Sequence, residues 1–413
     1  MWGTGVVGYG NHVGQSRDDQ SGRELWKVGN SMAQSRARRP QASAGKTAVS
    51  KAGTVRKTAK TSAARPVRPL RTLKQGKRHR VRNFICAVAA FVFSLAALLG
   101  TATHILPEEL QALPYMPVVV SLVPWFTLLA AIALVCGIVS KRAVSTVVAV
   151  LAIALQVFWQ YPFFYSSTQL SRAAVAAVSG ENVNTDDGYA RLMTCNVYKG
   201  RADAREIVDL VRSEHVEVLA LQETTDDFVN ALNSAGIAAY LPYSQVASSD
   251  GVYGNGIWSA SPLSDPSDDD VDSSASFMPG ATISFNGGNT QVRFVSVHTT
   301  SPTDGYWQQW KRSLDELAKL RFDTGRRYVF MGDFNATYDH TPFRNFLGTR
   351  FSDAARQAAN GLKFSWPANI DYVPTFAGID HIVLDSGMRA GQVRTVKVDG
   401  SDHKALLAIV RFD

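Results

Sequence analysis

The stretch Tyr328-Val329-Phe330-Met331-Gly332-Asp333-Phe334-Asn335-Ala336-Thr337 decides how the second half of this 413-residue chain is read. Four largely apolar residues closed by Gly332 have the length and composition of a buried strand, Tyr328 to Met331. Beyond it come a carboxylate, Asp333, and an amide, Asn335, two positions apart at the C-terminal end, where α/β sheets place their chemistry. An Asp and an Asn so placed can hold a hard cation, a phosphoryl oxygen or an attacking water. They can equally close the strand as an Asx-rich turn.

The surrounding chain repeats the pattern. Ala190 to Val197 and Val216 to Leu221 read as strands flanking an amphipathic helix, Ala202 to Glu214, with Ile207, Val208, Leu210 and Val211 inward. That is a βαβ unit with a right-handed crossover. Val252 to Trp258, Ala281 to Phe285, Val292 to Val297, His381 to Leu384, Val393 to Val398 and Leu406 to Phe412 read as further strands, with a helix from Trp307 to Phe322. Many strands with few helices predict an α/β sandwich of mixed sheets packed face to face. Polar residues recur at the strand ends: Asn196, Gln222-Glu223, Asn255, His298, Asp333 and Asn335, Asp380, then Asp402-His403. Taken singly each is a cap or turn residue; their joint recurrence at the ends of apolar runs points to one cleft.

In order, Cys195-Asn196-Val197, Leu221-Gln222-Glu223-Thr224, Val297-His298, Gly332-Asp333-Phe334-Asn335, Ile379-Asp380-His381 and Gly400-Ser401-Asp402-His403 resemble the motifs of the endonuclease/exonuclease/phosphatase superfamily, which has a deoxyribonuclease I-like fold. The resemblance covers residues 188–413. It implies a four-layer α/β sandwich, two packed mixed β-sheets flanked by helices, and divalent-metal-dependent cleavage of a phosphate ester. On that basis Glu223, with Asn196 and Asp402, supplies oxygen ligands for Mg²⁺ or Mn²⁺. Asp333 and Asn335 position the attacking water or bind the scissile phosphate, and His403 polarised by Asp380 is the general base. His298 donates to a phosphate oxygen or the leaving group, and Asn255 is a weaker phosphate contact. His381, on the opposite face of its strand from Asp380, is not expected in the cleft. Thr225 after Gln-Glu-Thr, together with His298, departs from the abasic-site endonuclease branch and is similar to deoxyribonuclease I-like, sphingomyelinase-like and inositol-phosphatase-like members. The resemblance therefore predicts phosphodiester hydrolysis of nucleic-acid or phospholipid-head-group type. A phosphomonoesterase on inositol phosphates, or a catalytically silent binding module, is the alternative.

The rest of the chain has another composition. Up to Arg82 there are 19 Lys+Arg against 3 Asp+Glu; from Asn83 to Tyr165 four formal charges cancel; from Ser166 on there are 22 Lys+Arg against 30 Asp+Glu. The sequence pI of about 9.3 therefore belongs to the first segment, and the acidic C-terminal part offers no basic groove for duplex DNA. Residues 1–82 read as a disordered basic tail drawn to anionic lipid, at roughly 1 kcal/mol per well-placed Lys or Arg. Three apolar stretches, about 84–103, 115–140 and 143–165, are long enough to cross a bilayer as helices. Lys and Arg before the first, Glu108 and Glu109 after it and Lys141-Arg142 after the second orient the chain as a multi-pass cell-membrane protein. Its N-terminus is then cytoplasmic, followed by a linker over 166–187 and an extracellular catalytic domain over 188–413. The run Asp265 to Asp272 reads as a solvated acidic loop, and Cys86, Cys136 and Cys195 suggest no disulfide framework.

Overall fold

The computed structural model describes residues 71–179, 183–273, 275–303 and 305–412, so the expected tail up to Leu70 lies outside the described residues. Among the described residues, three helices are long and apolar enough to cross a membrane, over Arg78–Ile105, Val123–Ser140 and Ala143–Phe163. The first belongs to a helix that starts at Arg71, so the basic residues just before the apolar stretch are helical rather than tail. Lys and Arg are good helix formers and propagate the apolar helix backwards. The second stretch departs from a single 115–140 helix. A short helix, Met116–Ser121, and a 3₁₀ turn, Val123–Trp125, precede the helix Phe126–Ser140. Pro124 lacks the amide proton a continuous helix needs there.

After the third span, Arg172–Ser179 is helical where a linker is expected, and its Val178 packs with Leu170 against Ile409. Twelve strands then form two six-stranded mixed sheets. They are β1 (Tyr189–Asn196), β2 (Val218–Gln222), β3 (Tyr243–Ala247), β4 (Asn255–Ser259), β5 (Ser264–Ser267), β6 (Gly280–Phe285), β7 (Thr290–His298), β8 (Tyr328–Asp333), β9 (Ser352–Asp353), β10 (Asp380–Leu384), β11 (Arg389–Lys397) and β12 (Lys404–Arg411). The first sheet runs β11-β12-β1-β2-β4-β3 and the second β5-β6-β7-β8-β10-β9.

Alternation along each strand sends one set of side chains between the sheets and the other toward helices. Leu192, Ala220 and Ile257 of the first sheet meet Ile283, Phe294, Met331 and Ile382 of the second in one buried core. On the outer face of the first sheet, Met193, Leu219 and Trp258 pack under the helices Ala204–Ser213 and Asp226–Ser234. On the outer face of the second, Val295, Phe330 and Phe334 pack under Trp307–Lys319 and Thr341–Leu347. The four layers are those the resemblance implies.

The acidic run is not simply solvated. Arg293, only 3% exposed, receives Asp270 in two parallel bonds of 2.6 and 2.7 Å, a fork that fixes both partners. Asp265 lies in β5 and pairs with the exposed Arg326 at 2.9 Å.

The near ends of the three apolar helices pack on the second sheet's side of the domain. His104 Nδ1 pairs with Asp339 Oδ1 at 2.7 Å, Arg344 donates to the His104 carbonyl at 2.6 Å, and Thr341 N–H donates to Gln111 at 2.9 Å. Trp125 Nε1 donates to the Phe376 carbonyl at 2.9 Å, and the Gly361 amide donates to the Phe163 carbonyl at 2.7 Å. Lys141 and Arg142, between the second and third helices, are exposed.

Candidate active site

Strand direction gathers the polar residues. β1 runs parallel to β2, and β7 parallel to β8, so Asn196, Gln222, His298 and Asp333 all sit at C-terminal ends. β10 and β12 run antiparallel to β8 and β1, so their N-terminal ends arrive at the same edge, with Asp380 directly opposite Asp333. One end of the sandwich thus collects Asn196, Glu223, His298, Asp333, Asp380, Asp402 and His403.

Two glycines permit the convergence. Gly332 has φ +152°, and a Cβ there would lie 1.9 Å from the Val297 carbonyl oxygen of the neighbouring strand. Gly400, at φ +82°, would place one 2.2 Å from the Arg201 carbonyl oxygen. Any side chain would push Asp333 or Asp402-His403 out of line.

On the second sheet's side, Asp333 is buried, and Asn196 Nδ2 donates to its Oδ2 at 3.1 Å. Burial raises its pKa, His403 opposes that, Asp380 adds to it and His298 opposes it. Its Oδ1 accepts the Asn335 amide at 2.8 Å, the Asx turn read from the sequence. Asn335 sits at φ +47° and gives one side-chain N–H to the Thr299 carbonyl at 2.9 Å, which leaves its second N–H. His298 Nδ1 lies 3.0 Å from the Val252 carbonyl and 3.1 Å from Ser276 Oγ. The carbonyl fixes the proton on Nδ1 and turns Nε2 to within 3.8 Å of both Glu223 Oε1 and Asp333 Oδ2.

His403 is held at both nitrogens. Nδ1 donates to Asp380 Oδ2 at 2.8 Å, and Nε2 faces Asp333 Oδ2 at 3.6 Å and Asp402 Oδ1 at 3.9 Å. Burial disfavours its charged form, yet Asp380, Asp333 and Asp402 together outweigh burial and raise its pKa. Ser401 anchors the loop, donating to the Asn196 carbonyl at 2.6 Å and accepting the His403 amide at 2.9 Å.

On the first sheet's side, Glu223 has φ +59° and accepts the Lys199 amide at 2.8 Å and Asn196 Nδ2 at 3.1 Å. Burial raises the Asp402 pKa, His403 opposes, and the nearby charge of Glu223 adds to it. The Asp402 Oδ1 and Asp380 Oδ1 atoms are buried with no hydrogen-bond donor. Acceptors left so, beside further carboxylates, suit a hard cation. Asp333, Asp380 and His403 also offer ligand atoms within 4.8 Å of one another, but His403 already bridges the two carboxylates.

Two expected residues take other postures. Asn196 Oδ1 accepts the Tyr198 amide at 2.9 Å, so its nitrogen, not its oxygen, faces the carboxylates. Asn255 is fully buried and its Nδ2 donates to the Phe277 carbonyl, so that N–H is taken up by the protein's own backbone. Ser276, which helps orient His298, lies in a turn-rich segment without periodicity and gave no sequence signal, and Val252, expected to begin a strand, lies in the turn before β4. Gln222 links the sheets beneath the site, accepting from Thr194 at 3.1 Å and donating to Ser296 at 3.0 Å.

Solved structures of low identity are similar to parts of the chain. TDP2 of D. rerio, solved with a single-strand DNA product, is 17% identical with a TM-score of 0.46, over 55% of this chain and 100% of that one. An endonuclease/exonuclease/phosphatase family protein of Bacteroides thetaiotaomicron is 13% identical at 0.46, over 55% and 98%. The 3' phosphatase NExo of Neisseria, bound to a product DNA hairpin, is 19% identical at 0.43, over 54% and 99%. No curated protein matches the sequence. Residues 193–403, which span the whole constellation from β1 to His403, match the Endonuclease/Exonuclease/phosphatase family, and the chain belongs to that family of phosphoesterases.

Proposed function

We propose that the protein is a membrane-anchored, divalent-metal-dependent phosphodiesterase. The observation that carries this reading is the buried His403–Asp380 pair facing Asp333, with the Asp402 Oδ1 acceptor left without a donor beside Glu223. Glu223 and Asp402 would hold the cation, with Asn196 at their side, and Mg²⁺ or Mn²⁺ bound there offsets phosphate charge as a Lewis acid. Asn196 holds Glu223 and Asp333 in place through its amide nitrogen.

Asp380 fixes the His403 tautomer with the proton on Nδ1, which leaves Nε2 toward Asp333. The carboxylates around His403 favour its charged form, a field that a cation held by Glu223 and Asp402 would offset, and Nε2 is the atom placed to accept a proton from the attacking water. Asp333 orients that water, and Asn335 donates its second N–H to a phosphate oxygen. His298, when protonated, donates from Nε2 to the oxygen that carries developing charge. A phosphomonoester offers the same oxygens, so the substrate panel below contains both ester types.

The membrane part of the proposal is supported by the three apolar helices and by the charge distribution read from the sequence. With three crossings, the N-terminus is cytoplasmic and the 188–413 domain extracellular. The experiment is hydrolysis by the full chain in detergent of single-stranded DNA, RNA, sphingomyelin, an inositol phosphate and a chromogenic diester, with Mg²⁺ and with chelator. Metal-dependent turnover of a diester is the expected result. Cleavage of the monoester alone overturns the diester assignment, and binding of a panel member with no turnover makes the domain a binding module. Protease added to intact cells should cut the domain after Ser166; protection of the domain overturns the sidedness.

A further inference from the structure

A cavity of about 610 Å³ lies where the third apolar helix meets the domain, lined by His104, Val157, Phe158, Trp159, Tyr338, Arg344 and Arg356 among others. Its two walls differ in chemistry. One is the end of the third helix, with Val157 and Phe158 56% and 73% exposed, apolar surface of the kind acyl chains cover. The other is the domain, where Arg344 and Arg356 both engage Tyr338, Arg344 through its carbonyl at 2.9 Å and Arg356 over its ring at 3.7 Å.

Among the described residues, neither arginine forms a carboxylate ion pair. Arg344 donates to the Tyr338 and His104 carbonyls at 2.9 and 2.6 Å and to Thr341 Oγ1 at 3.0 Å. Arg356 donates to the Trp159 carbonyl at 3.3 Å and lies over the Tyr338 ring at 3.7 Å and the Phe163 ring at 5.0 Å. The neighbouring carboxylates are engaged elsewhere: Asp339 with His104, and Asp353 with His381. Two cations lining one cavity at the end of a lipid-facing helix, neither bonded to the nearby Asp339 or Asp353, match a phosphate in charge.

We infer that this cavity is a binding site for an anionic membrane phospholipid, its phosphate between Arg344 and Arg356 and its acyl chains along Val157 and Phe158. The site rests on the membrane reading above and is separate from the catalytic cleft. Nothing catalytic is assigned to the lipid, whose head group joins helix and domain by neutralising the arginine pair.

The test uses the purified full chain in a zwitterionic detergent, with phosphatidylglycerol or phosphatidylcholine brominated on the acyl chains. Trp159 lines the cavity, so a lipid seated there quenches its fluorescence. The expected result is half-maximal quenching at a concentration about fivefold or more lower for phosphatidylglycerol than for phosphatidylcholine. Trp159→Phe should remove the selective part of the signal. Arg356→Gln should abolish the preference and Arg356→Lys should keep part of it, each with an unchanged circular dichroism spectrum. Equal quenching by the two lipids, or a preference that survives Arg356→Gln, overturns the site. Displacement of the lipid by inorganic phosphate alone at comparable concentration would assign the cavity to a soluble anion and also overturn it. A chain released from membranes by alkaline carbonate sinks the membrane reading itself; one that stays membrane-bound but shows no head-group selection sinks only the site.

Discussion

Asp380 and His381 are consecutive on β10 and lead to opposite kinds of buried charge. Asp380 turns into the cleft, donates nothing, and receives only His403, so one of its oxygens stays without a donor. His381 turns the other way, into the outer layer of the second sheet. There its Nδ1 pairs with Asp353, its Nε2 meets the Ala336 carbonyl at 2.8 Å, and Phe343 packs against its ring at 4.3 Å. Asp353 in turn accepts the Arg356 amide at 3.1 Å as a helix cap. The His381 cluster is closed and the His403 cluster is open. Among buried polar groups, complete pairing marks structure, and an acceptor left over marks a place where something else binds.

The contrast can be broken by substitution. In the open cluster, Glu223→Gln should lower turnover by about 10² to 10⁴ while leaving the unfolding midpoint nearly unchanged; His403→Ala should lower turnover as much and also cost stability, because the buried Asp380 loses its partner. Near wild-type rates in both variants would remove the site assignment. In the closed cluster the effects should reverse. Asp353→Ala leaves a buried imidazole without its carboxylate and should cost about 3–5 kcal/mol of stability, read by denaturant unfolding, while the folded fraction keeps its activity. Asp270→Ala removes the fork on Arg293 but leaves it Asp265 at 3.6 Å, and should cost less.

A further effect concerns pH. Burial lowers the His340 pKa to about 3 from 6.5, and its ring is satisfied while neutral, accepting the Thr337 amide at 3.0 Å and donating to the Pro117 carbonyl at 3.1 Å. The unfolded chain therefore binds a proton that the folded chain refuses between those two values. Stability should fall as pH drops from 6.5 toward 3, and His340→Gln should flatten that part of the profile. A profile identical to wild type would contradict the buried neutral ring.

The sandwich was legible because its central strands are apolar runs ended by polar residues, a signal that survives without knowledge of pairing. Asn196, Glu223, His298, Asp333, Asp380 and His403 could be singled out for that reason. Two edge strands could not: Tyr243–Ala247 is half exposed, and Ser264–Ser267 contains no apolar side chain to set a period. The posture of Asn196 and Asn255 was equally hidden, because an amide's orientation depends on the backbone partners the folded loops supply, here the Tyr198 N–H as donor and the Phe277 carbonyl as acceptor. The contacts of the apolar helices with Asp339, His340 and Arg344 bring together residues more than two hundred positions apart in sequence, and no local pattern encodes them.

The most direct test of the account is the rate of phosphodiester hydrolysis by the full chain as Mg²⁺ is removed by chelator and restored, in wild type and in Glu223→Gln. The account predicts that wild-type activity disappears with chelator and returns with Mg²⁺, and that Glu223→Gln needs far more metal or does not recover. Hydrolysis that persists in chelator, or a Glu223→Gln variant with the wild-type metal dependence, would contradict it.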